Sequence, residues 1–258
     1  MISKADIEYK LNVSAKKYNI LFYDSVSSTN TLLREMVDKG AKDNRVLIAE
    51  RQTAGKGRMG RSFFSPSDTG IYISILIHPD KEIKNPVFIT TYAAVAACRA
   101  IEKTTDKKPL IKWVNDIIIN GKKVCGILTE SVFENGKMKY AVMGIGFNVF
   151  YPDSGFPNEI AEIAGAICKN KKDLLREEIA AEFLNQFSLT MDYDSFFDDY
   201  KKRNLTIGKK VEVINTANGD AYFATVKDID ENCCLVIKDE EGNTKTLSSG
   251  EIKIRLQQ

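Results

Sequence analysis

The sequence is poor in the groups that most often carry acid–base and metal chemistry. It has one histidine, His78, so a nucleophile–histidine–acid triad would have to use that residue, and a histidine-rich metal site is excluded. Its five cysteines, Cys98, Cys125, Cys168, Cys233 and Cys234, are odd in number and show no CxxC spacing. That removes zinc-ligand spacing and suits reduced thiols in a reducing compartment. No Walker A pattern occurs. The longest apolar stretches, Ile71–Ile77 and Ala93–Cys98, fall far short of the roughly 18 residues of a membrane span. The N-terminal MISKADIEYK has no apolar core that would serve as a signal peptide. Charge of one sign is lacking too: 37 basic and 35 acidic residues leave a net of +2, too little to draw the chain onto nucleic acid or an acidic membrane. Neither is expected as a partner, and a cytoplasmic location is.

The chain does have enough length for a core. At about 150 residues per domain, 258 residues read as one large domain, or a large one with a small one. Ile20–Tyr23 and Val46–Ala49 read as short strands, and between them Leu32, Leu33, Met36 and Val37 lie at helical spacing behind a Ser27/Ser28 N-cap, with Gly40 as the stop. Gly70–Ile77 reads as an isoleucine-rich strand. Asn85-Pro86 starts a helix whose inner face carries Val87, Ala94, Ala97 and Ile101. Hairpin signals then link Leu110–Trp113, Ile117–Ile119, Val124–Phe133 and Lys139–Asn148, with turns at Asn120-Gly121 and Asn135-Gly136. Asp173 caps a further helix through Leu174, Leu175, Ile179, Phe183 and Phe187. From about Leu205 helical periodicity stops and short alternating strands follow, which sets a boundary between residues 1–205 and 206–258.

The segment Arg51-Gln-Thr-Ala-Gly-Lys-Gly-Arg-Met-Gly-Arg61 is the most informative. Three glycines alternate with Lys56, Arg58 and Arg61. Glycine lets backbone amides approach a ligand closely, and the cations supply charge-assisted donors, so the segment can clamp an anion such as phosphate. Gly55, Gly57 and Gly60 also satisfy G-x-G-x-x-G, but that fingerprint needs a helix at its third glycine, and Arg61-Ser-Phe-Phe-Ser-Pro66 does not provide one. By itself the segment also reads as an ordinary glycine-rich surface loop. Asn115, Asp116 and Lys123 are brought together by the hairpin, each one otherwise a solvated surface group. Gly144 and Gly146 share one strand face and leave a flat surface, or else mark a bulge or close crossing.

Taken in chain order, the motifs Ser28-Thr-Asn30, Gly55-Lys-Gly-Arg-Met-Gly-Arg61, Lys112-Trp-Val-Asn-Asp116, Lys123-Val-Cys-Gly-Ile-Leu-Thr-Glu130 and Gly144-Ile-Gly-Phe-Asn148 resemble a biotin protein ligase. The resemblance is dense from Ser28 to Asn148 and resumes at Ser249–Arg255. Lys56 departs from the family's usual arginine, keeping the charge without the planar fork, and Val114 departs from its proline. The resemblance implies an α/β (α+β) catalytic domain with a mixed sheet flanked by helices, related to class II aminoacyl-tRNA synthetases, followed by a small SH3-like β-barrel. It implies biotin and ATP as substrates with Mg2+, biotinyl-5′-AMP as intermediate, and a lysine of a biotin carboxyl carrier domain as acceptor. With about 20 residues before the first core strand, a form without the family's N-terminal DNA-binding domain is expected.

The residue roles the resemblance implies are as follows. Biotin falls to Ser28, Thr29, Asn30, Gln52, Lys56, Gly57, Arg58 and Lys123. The adenylate falls to Arg58, Arg61, Asn115, Gly144, Gly146, Asn148 and Arg255. Catalysis falls to Lys123, Arg58, Asn115 and Asp116, and the metal is held by ATP phosphates rather than by protein ligands alone. Two rivals stand beside this reading: a lipoate–protein ligase, and a biotin-sensing regulator without turnover. An exposed sheet edge leaves a homodimer open.

Overall fold

A computed structural model describes residues 2–78, 85–169, 176–188, 193–215, 219–248 and 252–256. The first sheet has seven strands: β1 Asn19–Tyr23, β2 Arg45–Ala49, β3 Gly70–Ile77, β4 Leu110–Lys112, β5 Asp116–Ile119, β6 Lys122–Glu134 and β7 Lys137–Asn148. Their spatial order is β1-β2-β3-β7-β6-β5-β4, with β1 and β2 parallel and every other pair antiparallel. This is the mixed sheet the sequence suggests.

The two-residue period of the strands sorts the side chains into two faces. Ile71, Ile73 and Ile75 of β3 join Met143, Ile145 and Phe147 of β7 in the main core. Helices α1 Lys4–Lys10, α3 Val87–Thr104 and α5 Arg176–Ser188 contribute to that core through Ile7, the Ile89–Ile101 stretch and Phe183. Both main helices are buried over most of their length, as expected where one helix layer covers the sheet and is itself covered. On the opposite face, helix α2 Thr29–Asp38 packs Leu33 against Leu76, Tyr140 and Val142. The cover is partial, and the uncovered end carries Tyr72, Ser74, Gly126, Leu128, Gly144 and Gly146. In register, Ser74 faces Gly144, Tyr72 faces Gly146, and Gly126 also faces Gly146. The missing side chains open a trench in the sheet surface.

A short helix α4 Asn158–Ala161 follows β7, and α6 Tyr193–Arg203 leads into a five-stranded antiparallel sheet. That sheet comprises β8 Lys210–Asn215, β9 Ala221–Ile229, β10 Leu235–Asp239, β11 Thr244–Leu247 and β12 Ile252–Leu256, in the order β11-β10-β9-β8-β12. Its turn at residues 230–234 docks on the larger unit: the Trp113 indole donates to the Cys233 carbonyl at 3.0 Å, and Asn85 Nδ2 donates to the Asn232 carbonyl at 3.2 Å. The indole bond is buried, so Trp113→Phe, which strands the carbonyl and empties the space of the five-membered ring, should cost about 2–4 kcal/mol. Thermal melting checks this, and an unchanged midpoint would show that the contact contributes nothing.

Several expectations are corrected. The N-terminal segment, where the sequence reading places no element before Ile20, contains α1, which docks on α5: Asn185 Oδ1 accepts from the Asn12 amide at 2.8 Å, and Asn185 Nδ2 donates to the Lys10 carbonyl at 3.1 Å. Helix α6 was not foreseen, because Tyr193–Arg203 packs only a narrow apolar stripe through Phe196 and Tyr200. Ser28 occupies the N-cap position of α2 but makes no capping hydrogen bond. The cap at Asp173, with Leu174 and Leu175, lies outside the described residues.

Candidate active site

The trench is closed on its open side by the glycine-and-cation loop. The loop leaves β2 at Glu50, turns through a single 3-10 turn at Arg58–Gly60, and returns at Ser65. Its two legs are pinned together: the Gln52 amide donates to the Ser65 carbonyl at 3.1 Å, the Phe63 amide to the Gly55 carbonyl at 2.8 Å, and the Gly57 amide to the Arg61 carbonyl at 2.7 Å. Its outer legs are tied to α5. Glu50, 4% exposed, accepts from Arg176 Nη1 at 2.6 Å, from the Ile2 amide at 2.9 Å and from the Asp68 amide at 2.8 Å. Burial alone would raise the Glu50 carboxyl, but Arg176 and the two amides outweigh it and hold its pKa below the usual value.

Between loop and trench lies a narrow cleft, open to solvent, with a cavity volume of about 50 Å3. Of the residues singled out in the sequence, Ser28, Thr29, Asn30, Gln52, Lys56, Gly57, Arg58, Asn115, Lys123, Gly144 and Gly146 line it together. Asp116 stands just behind, with Oδ1 2.6 Å from Lys123 Nζ. The Lys123 ammonium also lies over the Phe63 ring, 5.9 Å from its centroid. Arg58 Nη1 donates to Asn115 Oδ1 at 3.1 Å, and Asn115 Nδ2 is fixed by the Ile127 carbonyl at 2.9 Å. Burial pulls the Arg58 pKa below its ordinary value, although Asp116 opposes this. A guanidinium starts so high that it stays charged. Two cations, each held by a neighbouring acceptor, thus face one cleft.

Besides Asp116, two singled-out residues do not line it, and a third lies outside the description. Arg61 is exposed on the loop, Asn148 Nδ2 donates to the Gly165 carbonyl at 3.1 Å, and Arg255 lies on β12, whose side chains are outside the description. The glycine face is not bare either. A Cβ on Gly146 would collide with the Phe63 ring, and one on Gly144 would collide with the Asn30 amide. Phe63 was missed by sequence reading, although an aromatic next to a glycine trench is a usable signal. Also missed were Ser74 and Glu130, whose partners only the fold supplies, and the 162–165 segment. That segment lies alongside Lys122 and Lys123: the Lys123 amide donates to the Ile163 carbonyl at 2.7 Å, and Lys122 Nζ reaches the Glu162 carbonyl.

Comparison with known proteins now bears on this geometry. Residues 22–148 match the model of the biotin/lipoate A/B protein ligase family, and residues 206–255 match that of the biotin protein ligase C terminal domain. The bifunctional ligase/repressor BirA of Bacillus spizizenii is 30% identical over 260 residues, spanning 96% of this chain and 78% of that protein. The chain belongs to the biotin protein ligase family. Within that family it is also similar to the biotin–[acetyl-CoA-carboxylase] ligase of Mycobacterium tuberculosis, at 27% identity over 87% of this chain and 85% of that one. The biotin protein ligase of Aquifex aeolicus, solved in complex with biotin and ATP, superposes with a TM-score of 0.77 at 27% identity, covering 93% of this chain and 99% of that one. Among the described residues, no helix is long and apolar enough to cross a membrane.

Proposed function

We propose that this biotin protein ligase activates biotin with ATP and transfers it to a lysine of a biotin carboxyl carrier domain. The observation that carries the proposal is the single cleft in which neutral hydrogen-bonding groups and paired cations meet. Ser28, Thr29 and Gln52 form the neutral end and suit a ureido ring. Lys123, Arg58 and Lys56 form the charged end, with the exposed Arg61 on the loop for the phosphates. In the first step a biotin carboxylate oxygen attacks the α-phosphorus of ATP, and pyrophosphate leaves. Both reactants are anionic, and Lys123 stands where one cation can serve both. In the second step the acceptor amine attacks the biotinyl carbonyl, and AMP leaves as the C–N bond forms. Asn115 and Asp116 face the reacting end, with Gly144, Gly146, Asn148 and Arg255 assigned to the adenylate. Closing the loop keeps water from the mixed anhydride between the steps.

Among the described residues no group of three metal-binding side chains exists. A lone carboxylate, Asp116, beside the cleft fits Mg2+, which is commonly held by substrate phosphates and one or two carboxylates. Bound there, it would neutralise phosphate charge. The division into a catalytic unit at 1–205 and an SH3-like unit at 206–258, a cytoplasmic location and a homodimer through a sheet edge belong to the same proposal.

The lipoate and sensor readings are separated from this one by pyrophosphate release with ATP and either biotin or lipoate. Release with biotin alone is expected. Release with lipoate alone, or with neither, would overturn the proposal. The loop should also report ligand: trypsin cleavage after Lys56 or Arg58 should slow several-fold with biotin and ATP present, because the cations then have an anion to grip. Equal cleavage with and without ligand would contradict loop closure.

A further inference from the structure

From the neutral end of the cleft a chain of polar side chains runs back through Thr29 and Asn30 to Ser74, Glu130 and Arg34, three residues given no part in the reaction above. Arg34 Nη1 contacts Glu130 Oε1 at 3.3 Å. Glu130 Oε2 lies 2.9 Å from Asn30 Nδ2, which also points at the Leu128 carbonyl at 3.4 Å. Ser74, on β3 and fully buried, places its Oγ 2.6 Å from Asn30 Oδ1 and 2.7 Å from Thr29 Oγ1. Thr29 Oγ1 is 3.1 Å from Gln52 Oε1, which already accepts from the Thr29 amide at 2.8 Å. Gly144 lets the Asn30 amide lie directly on the strand.

Counting hydrogens, and giving each to the shorter of the contacts open to it, sets the directions in this chain. A carboxylate and a backbone carbonyl can only accept, so the Asn30 amide must turn its NH2 toward Glu130 and Leu128 and its oxygen toward Ser74. That oxygen cannot donate, so the single Ser74 hydroxyl hydrogen goes to Asn30. The 2.7 Å contact between Ser74 and Thr29 then needs a hydrogen from Thr29. Two hydroxyl hydrogens serve three oxygen–oxygen contacts, and the longest, to Gln52, is the one left without. Thr29 has no hydrogen to offer the cleft, only lone pairs.

We infer that Ser74 and Glu130 are positioning residues that hold the Thr29 hydroxyl as a hydrogen-bond acceptor toward the cleft, and so select a ligand ring that presents N–H. The inference rests on the biotin ligase reading above and adds the origin of its choice of ring. A ureido ring supplies N–H donors. A dithiolane ring, or a ring with oxygen in place of N–H, meets lone pairs with lone pairs.

The test compares kcat/KM for biotin with that for the two cyclic carbamate analogues in which one ureido N–H is replaced by oxygen. In the parent, the analogue lacking the N–H that meets Thr29 should be strongly disfavoured. Ser74→Ala frees the Thr29 hydrogen, so the ratio of biotin to analogue should shrink about tenfold. Biotin itself should lose mainly in KM, with kcat within about threefold of the parent. Glu130→Gln keeps shape but lets the residue 130 amide donate, leaving only the 3.4 Å Leu128 carbonyl to hold the Asn30 NH2; where Asn30 turns over, Ser74 can give its hydrogen to Thr29, so the ratio should shrink, by less than in Ser74→Ala. A general packing defect would lower both substrates together and leave the ratio alone. If Ser74→Ala does not fold, Glu130→Gln carries the test. Ratios within twofold of the parent in the folded variants would overturn the inference while leaving the ligase reading intact. A parent that releases no biotin-dependent pyrophosphate would overturn both.

Discussion

Lys123→Ala is expected to lower biotinyl-AMP synthesis by about a hundredfold while leaving the fold in place. The lysine is partly exposed at the start of β6, but the Asp116 oxygen it pairs with is buried, so stability should fall by about 1–2 kcal/mol. The chemistry loses far more. Bringing a carboxylate onto an α-phosphate concentrates negative charge, and removing one positioned donor from such a site costs about 3 kcal/mol. Lys123→Arg should recover only part of the rate, since a guanidinium is wider and cannot sit as a point charge between two anions. Transfer from preformed biotinyl-AMP should suffer less than its synthesis, because the anionic approach is then complete. Pyrophosphate release by each variant, read beside its melting midpoint, checks this. Synthesis within about threefold of the parent would make Lys123 a solvated surface charge.

Arg176→Ala should have the largest effect on stability. It leaves Glu50 buried among main-chain groups without the guanidinium it pairs with, and breaking a buried pair from one side costs about 3–5 kcal/mol. The melting midpoint should fall by roughly 10 °C. Acidity should modify the difference in a defined direction. In the parent, the Glu50 pKa is below its unfolded value, so its contribution is present above the ordinary carboxylate range and is lost as pH falls through the lowered value. In the variant the opposing influence of burial dominates, the carboxyl rises, and protonation relieves the penalty. The gap between parent and variant should therefore narrow as pH drops below about 4. A gap that is constant with pH would show that the pair contributes no charge-dependent stability. Because Glu50 and Asp68 flank the glycine loop, biotin-dependent protection of that loop should weaken as well.

How much of this was readable from residues alone differs by element. The strands of the larger sheet were legible because each carries either a short apolar run or an alternating pattern closed by Asn-Gly turns, and Asn120 and Asn135 do adopt the positive φ those turns need. Eleven of the singled-out residues line one cleft, and they lie in motifs at strand and loop ends that are contiguous in the sequence. The remaining contributors are visible only in three dimensions. Ser74 looks like a polar interruption of an isoleucine-rich strand until register places it between Asn30 and Thr29. Glu130 sits 100 residues from the Asn30 amide it orients. Phe63 reads as one of two adjacent aromatics, and only the pairing of Gly126 with Gly146 shows where its ring lodges. Arg176 and Glu50 are 126 positions apart, and no local pattern announces a buried pair. Helix α1 was missed because an isolated seven-residue helix has too few turns to show a period, and docking on α5 supplies what its sequence lacks.

The central claim is that one cleft joins biotin to ATP and passes the product to a protein lysine. Incubating the protein with labelled biotin, ATP, Mg2+ and a biotin carboxyl carrier domain tests it directly. The account predicts label bound covalently to the carrier's acceptor lysine, dependent on ATP and absent when that lysine is replaced by arginine. Label that stays free with all components present, in a protein whose melting curve is intact, would contradict it.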